Sequence, residues 1–445
     1  MDTSIFKAYD IRGIYPEQLD EKGARMIGQA VAAYTGAKKI AVGMDMRSSS
    51  ENLKNALIEG LNAQGTDALE VGLVSTPMLY FASWKLDVDA AIMITASHNT
   101  AEWNGFKLCK KGAVPIGEGD GMEEIRDLAL AGSFSAATEK GRTDIYPSIR
   151  SEYYAYVKQF FKTGLGKKKV VFDFANSVGA LDRELYDALS EDIEPVYLFP
   201  DLDGTFPNHE ANPLKLETLE VLQKTVLESQ ADLGVAYDGD ADRVGFIDEK
   251  GQVVPMDFLI ALLGKEALKK NPAATILMDL RSSNAVKEAL EEAGATVHRC
   301  RVGHSLIKRQ MRSEGAVFAG ELSGHYFFQE NAKAEMTTLA VVTLLNLLGE
   351  TGQKLSELTK DLRRYSHSGE INSEVADKAA VLERLKEQYA NGKLDELDGI
   401  RIDFADWWFN VRASNTEPKL RLNLEAKTAQ LMEEKKTELL ALIRS

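Results

Sequence analysis

Three short segments of the 445-residue chain share one pattern, an apolar run that stops at an aspartate and gives way to polar, helix-compatible sequence. They are Ile40-Ala41-Val42-Gly43-Met44-Asp45, Val170-Val171-Phe172-Asp173 and Ile276-Leu277-Met278-Asp279. A short apolar run bounded by turn residues reads as a buried strand, and strands alternating with helical sequence build mixed or parallel sheets covered by helices. The repetition predicts three related α/β units, in line with a prior of about 150 residues per domain.

Boundaries follow from the stretches between these patterns. Ala131-Gly132-Ser133-Phe134-Ser135-Ala136-Ala137-Thr138 is a run of small residues that reads as a loop, with a new helix predicted near Ser148. The Asp248-Glu249-Lys250-Gly251 turn separates strand-like sequence from helical periodicity that resumes at Met256, and Ser366-His367-Ser368-Gly369 marks a third break. The remaining tail reads as a helix carrying Val381, Leu382, Leu385 and Tyr389, then strands between Ile400 and Leu424, then a closing helix to Arg444. The expected units are residues 1–145, 146–250, 251–366 and 367–445, the last a smaller α+β domain.

Composition narrows the function. An apolar fraction of 44% and a charged fraction of 27% are those of a soluble globular protein. No apolar run approaches the roughly 18 residues of a membrane span, and the stretch Leu339 to Leu348 is interrupted by Thr343 and Asn346. Met1-Asp2-Thr3-Ser4 lacks the basic and apolar regions of a signal peptide, and Cys109 and Cys300 are the only cysteines, so a reducing cytoplasm is the expected setting. Fifty-three basic against 68 acidic side chains leave a net charge of −15, which disfavours nucleic acid as a partner. An anionic small substrate would need local clusters of Arg and Lys.

Four polar loops carry the chemistry. Ser97 lies in Thr95-Ala96-Ser97-His98-Asn99, after the strand-like Ala90-Ala91-Ile92-Met93-Ile94, and Asn104-Gly105-Phe106-Lys107 follows. Alone, Ser97 reads first as a helix cap and Lys107 as a solvated lysine, and it is the set of loops together that shifts the reading. Asp238-Gly239-Asp240-Ala241-Asp242-Arg243 places three carboxylates at alternate positions, able to face one hard cation such as Mg²⁺. With Glu249 this spacing imitates an EF-hand loop, but Arg243 stands where that loop needs glycine, and both flanks look like strands. Gly320-Glu321-Leu322-Ser323-Gly324-His325 offers Glu321 and Ser323 to sugar hydroxyls. Arg412-Ala413-Ser414-Asn415-Thr416-Glu417-Pro418, with Arg421 beyond, has the guanidinium groups, hydroxyls and turn amides that suit a phosphate dianion. A hydroxyl that accepts phosphate beside a carboxylate cage points to phosphoryl transfer.

Taken in order, the opening Phe6-Lys7-Ala8-Tyr9-Asp10-Ile11-Arg12-Gly13, the four loops above and Gly303-His304-Ser305 resemble the α-D-phosphohexomutase superfamily, most of all its bacterial phosphomannomutase/phosphoglucomutase branch, over nearly the whole chain. The resemblance implies three related α/β domains and a smaller fourth around a central cleft. It implies a phosphoserine at Ser97 and one Mg²⁺ held by Asp238, Asp240, Asp242 and an oxygen of phosphorylated Ser97, with Arg243 as a neighbour. The reaction implied interconverts mannose or glucose 1- and 6-phosphates through a hexose 1,6-bisphosphate, with glucose or mannose 1,6-bisphosphate as activator. Arg412, Ser414, Asn415, Thr416 and Arg421 would hold the phosphate not being transferred, and Glu321 and Ser323 the hydroxyls at C3 and C4. Lys107, Arg12 and His325 are candidates for moving the sugar proton, Lys107 foremost because arginine is a poor base; His98 stands beside Ser97. Tyr9, His304 and Arg281 complete the expected substrate contacts.

Two departures bear on substrate. Arg281 replaces the lysine usual in the branch, and Gln329-Glu330-Asn331-Ala332-Lys333-Ala334-Glu335 replaces a more aromatic, Asp-bearing stretch. The nearest rival reading is a phosphoglucosamine mutase, against which stand Leu322 and Phe106. A non-catalytic phosphosugar-binding relative is the rival from another class, and the intact Ser97, Lys107 and aspartates count against it. Oligomeric state is not legible in the sequence.

Overall fold

The computed structural model describes residues 1–135, 137–413 and 419–445. Each of the three Asp-terminated runs is an interior strand of its own sheet with a parallel neighbour on either side, and the same four-strand arrangement recurs in each. In the first unit Lys39–Met44 runs parallel to Asp67–Leu73 and to Ala90–Ile94, and Ala90–Ile94 turns back into antiparallel Trp103–Lys110. In the second, Lys168–Asp173 lies parallel to Ile193–Leu198 and Leu233–Tyr237, which turns back into Val244–Ile247. In the third, Thr275–Asp279 lies parallel to Thr296–Cys300 and Phe318–Gly320, which turns back into Tyr326–Phe328. The first sheet grows to seven strands, with Ile11–Ile14 and Thr143–Ile145 at its ends and Val114–Pro115 paired to Trp103–Lys110; the other two have five. Parallel neighbours require crossovers, supplied in the first unit by the helices Ser50–Ala63 and Thr76–Lys85.

The repeated aspartates share a local structure. The Oδ1 atoms of Asp45, Asp173 and Asp279 accept the backbone N–H two residues on, from Arg47 at 3.0 Å, Ala175 at 2.9 Å and Arg281 at 2.8 Å. Such an Asx turn ends a strand by satisfying the backbone locally. Arg47 and Arg281 also neutralise their aspartates, whereas in the second unit His209 comes from a distant loop, its Nε2 3.2 Å from Asp173.

One continuous apolar core, from Ala41 to Leu362, runs through all three units, and a second lies between the first sheet and its helices Glu21–Thr35 and Ser50–Ala63. The fourth unit has its own core, from Val381 to Ile443, formed by a six-stranded antiparallel sheet and the helices Lys378–Gln388 and Ala429–Ile443. It meets the third unit through polar contacts: Arg401 donates to the Leu280 carbonyl at 2.5 Å, the Asn284 N–H to Glu425 at 2.9 Å, and Arg299 to Asp403 at 3.1 Å. The break read at Ser366-His367-Ser368-Gly369 is partly strand: Ser366–His367 pairs with Ala426 and Glu425. Two residues are too few for a periodic signal.

A buried carboxyl in the second unit yields a stability test. Burial lifts Asp182 from its ordinary 3.8 to about 8, opposed by one hydrogen bond from the Tyr154 hydroxyl at 3.3 Å. The folded chain keeps this proton up to about pH 8, while the unfolded chain releases it near 3.8, so stability falls as pH rises through that interval. Asp182→Asn is expected to raise the melting temperature by several degrees at pH 8 and to leave it unchanged near pH 4. Calorimetry at the two pH values checks this, and equal melting at pH 8 would count against it.

Candidate active site

The third strand of each repeat turns back through a hairpin loop, and the three equivalent loops face one another. The first, between Ala90–Ile94 and Trp103–Lys110, carries Ser97; the second, between Leu233–Tyr237 and Val244–Ile247, carries Asp238, Asp240 and Asp242; the third, between Phe318–Gly320 and Tyr326–Phe328, carries Glu321, Ser323 and His325. All three leave the carboxyl ends of parallel strands, where open α/β sheets gather their ligands.

Ser97 is fully buried and has φ +53°, a left-handed conformation that non-glycine residues rarely adopt. Arg47 holds it there: its side chain is inaccessible, and its two terminal nitrogens donate to the carbonyls of Ser97 at 2.9 Å, Asn99 at 2.6 Å, Thr100 at 2.7 Å and Trp103 at 3.0 Å. Residues after Ser97 form a turn, so the serine caps no helix. Its Oγ donates to Asp238 Oδ2 at 3.2 Å and lies 3.2 Å from His98 Nδ1. Gly239 makes this approach possible, because a Cβ there would stand 2.1 Å from the Ser97 carbonyl oxygen.

The acidic loop is held from all sides. Lys107 is buried and donates to Asp240 Oδ2 at 2.6 Å and to Asp242 Oδ2, and Thr76 Oγ1 donates to Asp240 Oδ2 at 2.6 Å. Arg243 closes the loop on itself, its N–H 3.2 Å from Asp238 Oδ1, and its Nε reaches His325 Nε2 at 3.2 Å. Arg12 pairs with Asp10 at 2.6 Å and donates to the Ala96 carbonyl at 3.3 Å and Asn99 Oδ1 at 2.8 Å, which puts it against the Ser97 loop. Glu249 bonds to Ser356 instead, so the EF-hand pattern has no counterpart in the fold.

These contacts shape the titration of the site. Burial, then the neighbouring Asp240 and Asp242, push the Asp238 carboxyl well above the carboxylate range. Burial also opposes ionised Asp242, but Lys107 and His325 outweigh it and hold that group well below the range. For Lys107, burial favours the amine, and Asp240 and Asp242 reverse this to raise it above the ordinary lysine value. Burial, Arg243 and Arg12 depress His98; burial also opposes charged His325, but Asp242 and Glu321 together outweigh it and raise that group to about 9.

The residues present fit a hard divalent cation. The three aspartates each offer an oxygen within 4.8 Å of the others, and the Oδ1 atoms of Asp240 and Asp242 accept no hydrogen bond among the described residues. A buried set of oxygen donors, two of them without a hydrogen bond among the described residues, suits Mg²⁺.

From this cluster a line of contacts runs to the fourth unit. His325 Nδ1 lies 2.7 Å from Glu321 Oε2 and 2.9 Å from Ser323 Oγ, while Glu321 Oε1 accepts the Gly303 N–H at 3.0 Å and stands 3.8 Å from Arg281. His304 packs against His325 with ring centres 6.1 Å apart and edge-on to Tyr9 at 5.8 Å; the Tyr9 hydroxyl donates to the Val302 carbonyl at 2.9 Å. Arg281 then meets Glu370 at 3.1 Å, and Glu370 also takes Arg412 at 3.3 Å and Arg421 at 3.1 Å. Ser414, Asn415 and Thr416 lie outside the described residues.

Several residues of this arrangement escaped the sequence reading. Arg47 and Thr76 carry no motif of their own; only the recurrence of Asp then Arg at Asp45-Arg47 and Asp279-Arg281 pointed at the former. Glu335 ends the departing stretch, is fully buried, accepts from Lys308 at 3.0 Å and lies 3.4 Å from His304 Nδ1. Phe106, weighed above as a marker of substrate, is wholly buried in the core of the first unit, so its identity reports packing.

A buried serine, a carboxylate triad and a guanidinium cluster along one line of contacts define an enzyme of the phosphoryl-transfer class. The models of the phosphoglucomutase/phosphomannomutase family match the chain in order, alpha/beta/alpha domain I over residues 3–136, domain II over 151–251, domain III over 255–365 and the C-terminal domain over 370–442. The chain is 39% identical to a phosphomannomutase of Methanocaldococcus jannaschii, covering 99% of this chain and 98% of the relative, and 38% identical to a phosphomannomutase of Salmonella montevideo over the full length of both. A crystal structure of a phosphoglucomutase/phosphomannomutase family protein from Burkholderia thailandensis superposes with a TM-score of 0.92 at 30% identity, covering 100% of this chain and 97% of the other. The chain belongs to the phosphoglucomutase/phosphomannomutase family and is an intramolecular phosphotransferase, an isomerase. No helix among the described residues is long and apolar enough to cross a membrane.

Arg47 gives a direct test of how Ser97 is presented. Lysine has one point of donation and no planar fork, so Arg47→Lys leaves most of the four carbonyls unpaired in a buried site. The expected outcome is a lower melting temperature and a kcat reduced by about tenfold or more with KM little changed, as for a displaced reacting group. Wild-type kcat in the variant would show that Ser97 does not need this support.

Proposed function

We propose that the chain interconverts hexose 1-phosphates and hexose 6-phosphates, mannose and glucose among them, by passing a phosphoryl group through Ser97 and a hexose 1,6-bisphosphate. The observation that carries this reading is the buried Ser97 hydroxyl, hydrogen-bonded to one of three clustered aspartates and joined by continuous contacts to a separate set of arginines. One end of that line suits the phosphoryl group in transfer, and the other suits a phosphate that stays put.

Asp238, Asp240, Asp242 and a phosphoserine oxygen would hold Mg²⁺, which when bound supplies neutralisation of charge on the transferring group. Arg12 flanks the Ser97 loop and offers guanidinium donors to phosphoryl oxygens. His98, its Nδ1 beside the Ser97 hydroxyl, takes the serine proton when the group returns to the protein. Lys107 exchanges the sugar proton: its ammonium, which Asp240 and Asp242 favour, gives one to a departing sugar oxygen, and the amine left by that transfer takes one from an attacking hydroxyl. His325 ties the acidic loop to the sugar loop, where Glu321 and Ser323 hold the hydroxyls at C3 and C4 against Tyr9 and His304. Arg281, Arg412 and Arg421, with Ser414, Asn415 and Thr416, seat the phosphate at rest. A sugar that turns over between two half-reactions presents either phosphate to this seat, and a hexose 1,6-bisphosphate would prime the serine.

Mannose and glucose differ at C2, which Glu321 and Ser323 do not contact in this reading, so both are accepted. The names of the relatives support mannose. The buried, unpaired Cys109 and Cys300 support a reducing, cytoplasmic setting.

Phosphorus NMR tests the proposal with Mg²⁺, a trace of glucose 1,6-bisphosphate, and mannose, glucose or glucosamine 1-phosphate in separate tubes. Expected are 6-phosphates from mannose and glucose, and none with Ser97→Ala although that variant still binds the sugar phosphates. Conversion of glucosamine alone would shift the reading to a phosphoglucosamine mutase. Undiminished turnover by Ser97→Ala would refute the serine as carrier.

A further inference from the structure

Glu370 stands in the seat assigned above to a phosphate. Its Oε2 accepts from Arg281 Nη1 at 3.1 Å and Arg412 Nη2 at 3.3 Å, and its Oε1 from Arg421 Nη1 at 3.1 Å. The first of these arginines belongs to the third unit and the other two to the fourth, and Glu370 lies in the fourth, between its strands Ser366–His367 and Ile371–Glu374 and next to Gly369 with φ +69°. We propose that Glu370 is an internal counter-anion that fills the arginine seat when no phosphate is there and yields it when the substrate phosphate arrives. The inference rests on the reading of Arg281, Arg412 and Arg421 as that seat.

Charge and geometry both favour exchange over permanent occupation. Arg281 is also matched by Asp279 and stands 3.8 Å from Glu321, and Glu370 is the carboxylate that the three guanidinium groups of Arg281, Arg412 and Arg421 share. A phosphate dianion entering beside an unmoved Glu370 would meet a like charge at close range, whereas one that replaces it meets three cations. The side chains of Glu370 and Arg421 retain 24% and 25% of their exposure, against 7% for Arg281 and 5% for Arg412, so the carboxylate lies at the open edge of the cluster, with room to leave. Arg412 Nε is buried and donates to nothing among the described residues, which leaves an edge of that guanidinium for a ligand with more oxygens than a carboxylate offers.

The reaction gives such a residue a purpose. When a bisphosphate intermediate turns over, the seat must lose one phosphate before it takes the other, and a carboxylate on a short tether keeps the arginines from facing one another bare. Glu370 then lowers the affinity of the seat for phosphate and hastens release.

Calorimetric titration of inorganic phosphate into wild-type protein and Glu370→Gln, Glu370→Asp and Arg412→Ala variants tests this, alongside steady-state kinetics. Removing a competing anion is expected to tighten phosphate binding by Glu370→Gln about tenfold and to lower KM for the sugar 1-phosphate in parallel, with kcat reduced. Glu370→Asp, which keeps the charge, should stay near wild type. Equal or weaker phosphate binding by Glu370→Gln, with a wild-type melting temperature, would overturn the proposal in favour of a carboxylate that merely braces the arginines. If Arg412→Ala binds phosphate as wild type does, the seat itself is misassigned, and the proposal falls with it on a result separate from that of Glu370→Gln.

Discussion

Three aspartates buried side by side are the constraint around which the rest of this molecule is arranged. Like charges in a dry site disfavour ionisation, and Asp238 shows it in a carboxyl pushed well above its usual range. The groups that make the cluster tolerable come from different units. Lys107 and Thr76 belong to the first, Arg243 to the second and His325 to the third. The site therefore exists only when three sheets are docked, and the apolar core that runs through all three fixes their docking. Charge compensation in this chain therefore depends on domain assembly.

Repetition explains how one site draws on three domains. Each repeat presents the hairpin after its third strand, and that loop carries Ser97 in the first, the three aspartates in the second and Glu321, Ser323 and His325 in the third. Equivalent positions in related sheets supply different chemistry at similar depth. The fourth unit stands apart from this logic, with an antiparallel sheet, a core of its own and a polar seam against the third. A polar seam is easier to open and reseat than a shared apolar core, which suits a unit proposed above to carry part of a phosphate seat.

The interior strands were legible in the sequence because Ile40 to Asp45, Val170 to Asp173 and Ile276 to Asp279 are buried on both faces and so read as unbroken apolar runs. The acidic loop was legible because alternate aspartates between two strand-like flanks have few other uses. Ser97 and Lys107 were ambiguous alone, and tertiary structure decides both: Lys107 is buried by carboxylates far away in the chain, and Ser97 is pinned by Arg47 through backbone carbonyls, which leave no mark on side-chain identity. The equivalence of the three functional loops was also hidden, since it lies in strand pairing and the loops share no residues. Short edge strands such as Ser366–His367 and the role of Glu370 escaped for a related reason, because both depend on partners brought by a sheet assembled from the chain's end.

The central claim is that this buried arrangement makes Ser97 the carrier of the phosphoryl group. Peptide mapping by mass spectrometry after incubation with Mg²⁺ and a hexose 1,6-bisphosphate addresses it most directly. The account requires one phosphoryl group, on the peptide that contains Ser97, discharged when a hexose monophosphate is added. A protein that turns over substrate with Ser97 unmodified, or with the phosphoryl group on another side chain, would contradict it.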